Sequence, residues 1–296
     1  MDVNVFLKKD MKEKQELVNI ILDRYLPRKD EYPKEIHKAL RYSTFAGGKR
    51  LRPYLCLLAY QMYLEDVESI TPVAAAIEMI HTYSLIHDDL PDVDDDEYRR
   101  GKKSCHAVFG EGVALLAGDS LLINAFELIT YANIDEALKV QFVQELGREA
   151  GINGLVAGQW VDIVSEGKKV DKKTLTYIHA NKTGGMINIG LRFGALAGKA
   201  PAKELAIIEE YGKKIGLVYQ IIDDILDIES TSEKMGKTIG KDETAGKATF
   251  PAVYGLEASR EMARNLTSEA RQTIATLGDK SLKLQVLAEF LLNRKS

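Results

Sequence analysis

Apolar residues recur along this chain at spacings of three and four, and the strict apolar–polar alternation of a half-buried strand is nearly absent. That rhythm predicts helices over 3–26, 33–46, 51–64, 110–131, 134–150, 171–195, 202–229, 248–264, 267–276 and 281–293. A further helix is predicted to start at Thr71-Pro72, a hydroxyl N-cap followed by proline at the first helical position. It runs through AAAIEMIHTYSLIHDD until Pro91 ends or kinks it. Connections are short, and no linker, low-complexity tract or solenoid repeat divides the chain. The expectation is a single all-α domain over residues 1–296. Gly184-Gly185 interrupts the 171–195 helix. Two helical glycines cost roughly 2 kcal/mol relative to alanine, so a kink or a local function is expected there.

Length and charge narrow the classes. A chain of 296 residues can bury roughly three quarters of its unfolded surface, enough to afford an internal cavity. A net charge of −4 gives no general attraction to nucleic acid or to an anionic membrane. A polyanionic substrate must then be met by local positive charge or by metal. Cys56 and Cys105 are too few for a disulfide framework and fit a reducing compartment. No uninterrupted apolar run approaches ~20 residues: Asp119 splits GVALLAGDSLLINAF and Arg192 splits INIGLRFGALAG. The first thirty residues are charged throughout, without the apolar core of a signal peptide. A soluble, cytoplasmic protein without nucleic-acid or membrane partners is expected.

Two acidic patches carry the candidate chemistry. DDLPDVDDDE gathers Asp88, Asp89, Asp92, Asp94, Asp95, Asp96 and Glu97; QIIDDILDI contributes Asp223, Asp224 and Asp227. Most acidic runs are solvated helix faces, and two features count against that reading here. No Lys or Arg lies between Arg52 and Arg99, or between Lys214 and Lys234, so the usual i±3 and i±4 counter-charges are missing. Moreover, Gln220, Asp223, Asp224 and Asp227 form one helical stripe, while Ile221, Ile222, Ile225, Leu226 and Ile228 crowd the other faces. Carboxylates on so apolar a helix must be paired or metal-bound. Oxygen-only ligation suits Mg²⁺ held jointly with substrate phosphate. A calcium loop is excluded, because Glu97 and Lys103 stand where Gly and Glu are required.

Basic residues answer the acids. GGKRLRP places Lys49, Arg50 and Arg52 at a helix start, a natural diphosphate seat or a mundane basic turn. Arg99, Arg100, Lys102 and Lys103 follow the first patch directly, where charge balance alone would suffice to explain them. GKTIGKDETAGKA is not a P-loop, since Ala248 replaces the required hydroxyl and no strand precedes it; its lysines remain candidates for a phosphate lid. His81 shares the Asp88 face of its helix.

Together GGKRLRP, HTYSLIHDDLPDVDDDEYRRGKKSCH, NKTGG and YQIIDDILD resemble the trans-isoprenyl diphosphate synthases, most of all the bacterial-type farnesyl diphosphate synthases, over residues 40–255. The resemblance implies a helical bundle around a deep central cavity, a homodimer, and head-to-tail condensation of dimethylallyl or geranyl diphosphate with isopentenyl diphosphate. By motif position it implies Mg²⁺ on Asp88, Asp89 and Asp94 and on Asp223, with Asp224 and Asp227 nearby. Lys49, Arg52, His81 and Arg100 match the seat of isopentenyl diphosphate; Arg99, Lys182, Thr183, Gln220, Lys237 and Lys247 match that of the allylic diphosphate. Leaving-group charge would be stabilised by metal with Lys182, Lys237 and Arg99, and the allylic cation by Gln220, Thr183 and backbone carbonyls freed near 182–185. The departing diphosphate would accept the proton.

Tyr83 and Ser84, five and four residues before Asp88, match the family's chain-length ruler. With two extra residues in the first acidic motif, they imply a farnesyl product. A geranyl or geranylgeranyl diphosphate synthase is the alternative within the class, and a non-catalytic subunit of a heteromeric synthase the alternative outside it.

Overall fold

The computed structural model describes residues 3–235 and 248–294. Helices α1 (Val3–Tyr25), α2 (Lys34–Thr44), α3 (Leu51–Gln61) and α4 (Thr71–Asp88) are followed by a small hairpin, β1 (Tyr98–Arg99) and β2 (Lys102–Lys103). Then come α5 (Cys105–Phe109), α6 (Glu111–Thr130), α7 (Glu136–Ala150), α8 (Leu155–Ser165) and α9 (Lys172–His179). A π-helical turn (Ala180–Gly184) leads into α10 (Gly185–Ala197), and α11 (Ala202–Met235), α12 (Phe250–Tyr254), α13 (Leu256–Ala275) and α14 (Leu282–Leu292) complete the set. The expected all-α bundle is what forms.

The centre of the bundle is α4, mostly apolar, buried along nearly its whole length and therefore surrounded. It packs on α6 and α3; α3 packs on α10, α10 on α11, and α11 on α13. The outer helix α13 shows the narrower stripe of a surface element, burying Ser259, Ala263, Thr267, Ala270 and Ile274 at spacings of three and four.

Local chemistry fixes the loop that opens α3. Arg50 adopts a left-handed backbone and is buried. Its guanidinium pairs with buried Glu78 of α4 at 2.7 Å and donates to the carbonyls of Thr44 and Gly47 and to Asn19 Oδ1. Arg50 is therefore a structural clasp between α4 and the 44–50 loop, leaving Lys49 on that loop and Arg52 in the first turn of α3 as the basic residues for the site.

Several expectations need correction. Helix α8 escapes the periodic reading, because its pattern is inverted: Val156, Trp160 and Val164 are exposed while Ala157, Gly158 and Ser165 are buried. The 248–264 and 267–276 prediction resolves into α12 and α13, divided at Gly255, whose positive φ breaks the helix. Thr71 is the first helical residue rather than the N-cap, and its hydroxyl donates backwards to the Val67 carbonyl at 2.6 Å. Finally, α6 is long and apolar enough to cross a membrane by length and composition, with mean hydropathy 1.6, despite the Asp119 interruption. In the bundle one side of α6 packs on α4, α2 and α5, leaving Leu115, Leu116 and Ile123 exposed.

Candidate active site

The acidic motifs meet at one cavity of about 520 Å³. From the α4 side it is lined by His81, Ser84, Leu85, Asp88 and Asp94, and from α11 by Tyr219, Gln220, Asp223, Asp224 and Asp227. Asp94 reaches it because the chain after α4 folds back, its N–H donating to the Asp88 carbonyl at 2.8 Å. The extra residues of the first motif thus form a turn that returns an acid to the start. A second cavity of about 490 Å³ lies between α1, α2, α4 and α6 and holds none of the predicted site residues.

Burial makes Asp88 costly to ionise: its pKa is pushed up to about 7, with Asp94 and Asp89 adding to the effect and Lys182 opposing it. Asp89 turns instead to Arg99, which also binds Asp96 at 2.9 Å. Asp223 accepts from Arg294 at 2.6 Å. The idea that these acids lack protein counter-charges is therefore corrected. Asp89 and Asp223 have them, supplied from positions that no i±4 rule inspects.

Arg52 and Arg100 line the same cavity beside His81. Arg52 is buried, and its Nε has no hydrogen-bond partner. The Arg100 guanidinium lies on Gly48 and donates to the Gly47 carbonyl. His81 is held well below the ordinary histidine range, first by burial and then by Arg52, Arg100, Arg50 and Arg99. A buried guanidinium Nε–H without a partner, beside an imidazole held neutral, is a site prepared for an anion. Lys49 stands at the rim, its pKa lowered by burial and by Arg294 and raised by Asp223.

The third wall is the π-helical turn, which falls where the paired glycines predicted a break. Its geometry has a packing cause. A Cβ on Gly158 would sit 2.4 Å from the Lys182 nitrogen, and one on Gly216 would sit 3.0 Å from the Gly184 Cα, so α8 and α11 close on bare backbone. Lys182 projects to Asp162 at 2.6 Å. Burial works to lower its pKa, but Asp162, Asp88 and Asp94 together raise it, so it stays charged. The Thr183 hydroxyl donates to Gln220 Oε1 at 2.9 Å. Gln220 Nε2 donates to Asp224 Oδ1 at 2.8 Å, and Asp224 Oδ2 accepts from the Phe250 N–H at 2.9 Å.

Of the ruler residues, Ser84 lines the cavity with Leu155, Ile178 and Met186. Tyr83 is not among the lining residues; it is buried behind them, its ring edge-on to His87 and its hydroxyl 3.4 Å from the Ala150 carbonyl. Lys237 and Lys247 lie outside the described residues. Polar lining or rim residues that escape the sequence motifs include Asp162, His179 and Arg294. Asp162 is hidden with its helix. Arg294 could be suspected only as a basic residue beyond the last helix.

Oxygen-only donors with surplus charge fit a hard divalent cation. Among the described residues no three acidic, histidine or cysteine side chains converge closely enough to hold an ion alone.

Comparison with known proteins follows the same line. The Polyprenyl synthetase family profile matches residues 33–283. A geranylgeranyl diphosphate synthase of Cyanophora paradoxa is 43% identical over 96% of this chain and 95% of its own length. A farnesyl diphosphate synthase of Geobacillus stearothermophilus is 46% identical over 85% of each chain. Among solved structures, the apo FPP/GFPP synthase of Zymomonas mobilis superposes with a TM-score of 0.87 at 33% identity, covering 97% of this chain and 99% of that one. The chain belongs to the polyprenyl synthetase family, the trans-isoprenyl diphosphate synthases, and is a prenyltransferase.

Proposed function

We propose that this prenyltransferase condenses dimethylallyl or geranyl diphosphate with isopentenyl diphosphate, depends on Mg²⁺, and yields mainly farnesyl diphosphate. The observation that carries the reading is a single cavity with two carboxylate sets, a buried arginine whose Nε lacks a partner, and an apolar floor. Asp88, Asp94 and Asp223 would hold the metal, which when bound neutralises the charge of a leaving diphosphate. Arg52, His81 and Arg100, with Lys49 at the rim, bind and orient isopentenyl diphosphate. Lys182, kept charged by Asp162, receives the allylic diphosphate with Arg99. Thr183 and Gln220 present fixed dipoles towards the reacting carbon, and the buried apolar floor excludes water.

Product length has two readings. The aromatic Tyr83 and the lengthened first motif favour fifteen carbons. The similarity to a geranylgeranyl synthase over nearly the whole chain favours twenty. Chromatography of dephosphorylated products separates them. We expect C15 from the parent and C20 or longer from Tyr83→Ala, because a prenyl tail entering the vacated space gains roughly 25 cal/mol per Å². C20 from the parent would support the second reading, and an unchanged product from a folded, active Tyr83→Ala would assign the floor to Leu155 and Met186. The exposed apolar residues of α6 make that helix the natural seat for a second copy in a homodimer. A single-chain mass in sedimentation would refute it.

A further inference from the structure

Asp224 differs from the other acids of the cavity in what it touches. It is 5% exposed, against the half-buried Asp223, and both of its oxygens are taken by protein donors. Oδ1 accepts from Gln220 Nε2 at 2.8 Å and Oδ2 from the Phe250 N–H at 2.9 Å. His179 Nε2, itself buried and without a hydrogen-bond partner, stands 3.6 Å from Oδ2, and the His179 ring stacks on Phe250 at 4.9 Å. The bonds form a directional chain. The Gln220 amide turns its NH₂ towards Asp224 and its carbonyl towards Thr183, the arrangement that an ionised, accept-only Asp224 enforces. Facing that carbonyl, the Thr183 hydroxyl must donate, as it does at 2.9 Å. Its hydrogen is then committed to Gln220, and the oxygen lone pairs are left for the cavity that Thr183 lines.

We propose that Asp224 is a positioning residue rather than a metal ligand: through the chain Phe250–Asp224–Gln220–Thr183 it fixes the direction in which the Thr183 oxygen presents its lone pairs to the cationic carbon. The inference deepens the condensing activity proposed above and rests on it. A neutral, reversible group at position 224 would let the Gln220 amide turn over. Thr183 would then accept from Gln220 and point its hydrogen at the cation, replacing attraction by repulsion.

The test exploits the direction of the bonds. Asp224→Asn should lower kcat on the order of 100-fold while the KM for the allylic substrate moves less than about two-fold. Adding Gln220→Glu to Asp224→Asn moves the carboxylate one link along the chain. The new amide at position 224 donates to the new carboxylate at position 220 and still accepts from Phe250, and Thr183 must again donate. This double variant should recover at least about ten-fold of the lost kcat. Calorimetric titration with Mg²⁺ and inorganic diphosphate gives a readout without turnover. Asp224→Asn should bind within about two-fold of the parent, and Asp223→Asn at least about ten-fold more weakly. A double variant no faster than Asp224→Asn, or metal binding lost as fully in Asp224→Asn as in Asp223→Asn, overturns the proposal. Should Asp224→Asn melt below the assay temperature, the double variant decides by the same two readouts. A parent that forms no prenyl diphosphate would overturn the condensing activity instead, and the titration would still decide whether Asp224 binds metal.

Discussion

Asp88 shows how much of the site is set by the placing of one carboxyl group. It ends α4 on the cavity wall, next to Asp89 in sequence, and burial raises its pKa from 3.8 to about 7. The sign of the linkage follows. Between those values the folded chain keeps a proton that the unfolded chain has released, so stability falls as pH rises through that window, and the whole contribution is lost above it. In metal-free protein, Asp88→Asn should therefore melt higher than the parent at a pH of about 8, with the difference shrinking towards a pH of about 4. Thermal melts across that range check it, and a parent–variant difference that ignores pH would contradict it. The acids themselves are legible because they lie together along the chain. Their partners are not: Asp223 meets Arg294 from 71 residues away, and Lys182 meets Asp162 across 20. Counter-charges at such separations are created by packing, and no local spacing announces them.

At the scale of elements, helical period predicts most of the bundle because most helices bury one apolar stripe or are apolar all round. Helix α8 defeats that rule. Its buried face, after Leu155 at the start, is built of Ala157, Gly158 and Ser165, small enough for close approach, while Val156 and Trp160 look outward. The paired glycines do interrupt the 171–195 helix, as a π-helical turn. Packing supplies a reason the sequence does not show: Gly184 lets Gly216 of α11 approach, and Gly158 lets α8 reach the same turn. Gly158→Ala should accordingly drive α8 off the Lys182 backbone. A loss of about 1–3 kcal/mol is expected from overpacking, together with a raised KM for the allylic substrate. Denaturant melts with steady-state kinetics measure both, and a variant as stable as the parent would show that the two backbones do not meet as described.

For the whole molecule, the fold class and the pairing of two acidic motifs can be read before any coordinates, since both follow from patterns that survive in one dimension. The shape of the cavity cannot. Leu155, Ile178 and Met186 share its apolar lining with Ser84 beside them although they come from separate segments of the chain, and Tyr83 is buried behind that lining. Whether the protein condenses its substrates through metal-neutralised diphosphate departure is decided most directly by following diphosphate release from dimethylallyl and isopentenyl diphosphates. Release should require both substrates, stop when Mg²⁺ is chelated, and return when Mg²⁺ is restored. In Asp88→Asn or Asp223→Asn it should fall by at least a factor of ~100. Full turnover in excess EDTA, or no release from the paired substrates with Mg²⁺ present, would contradict the account.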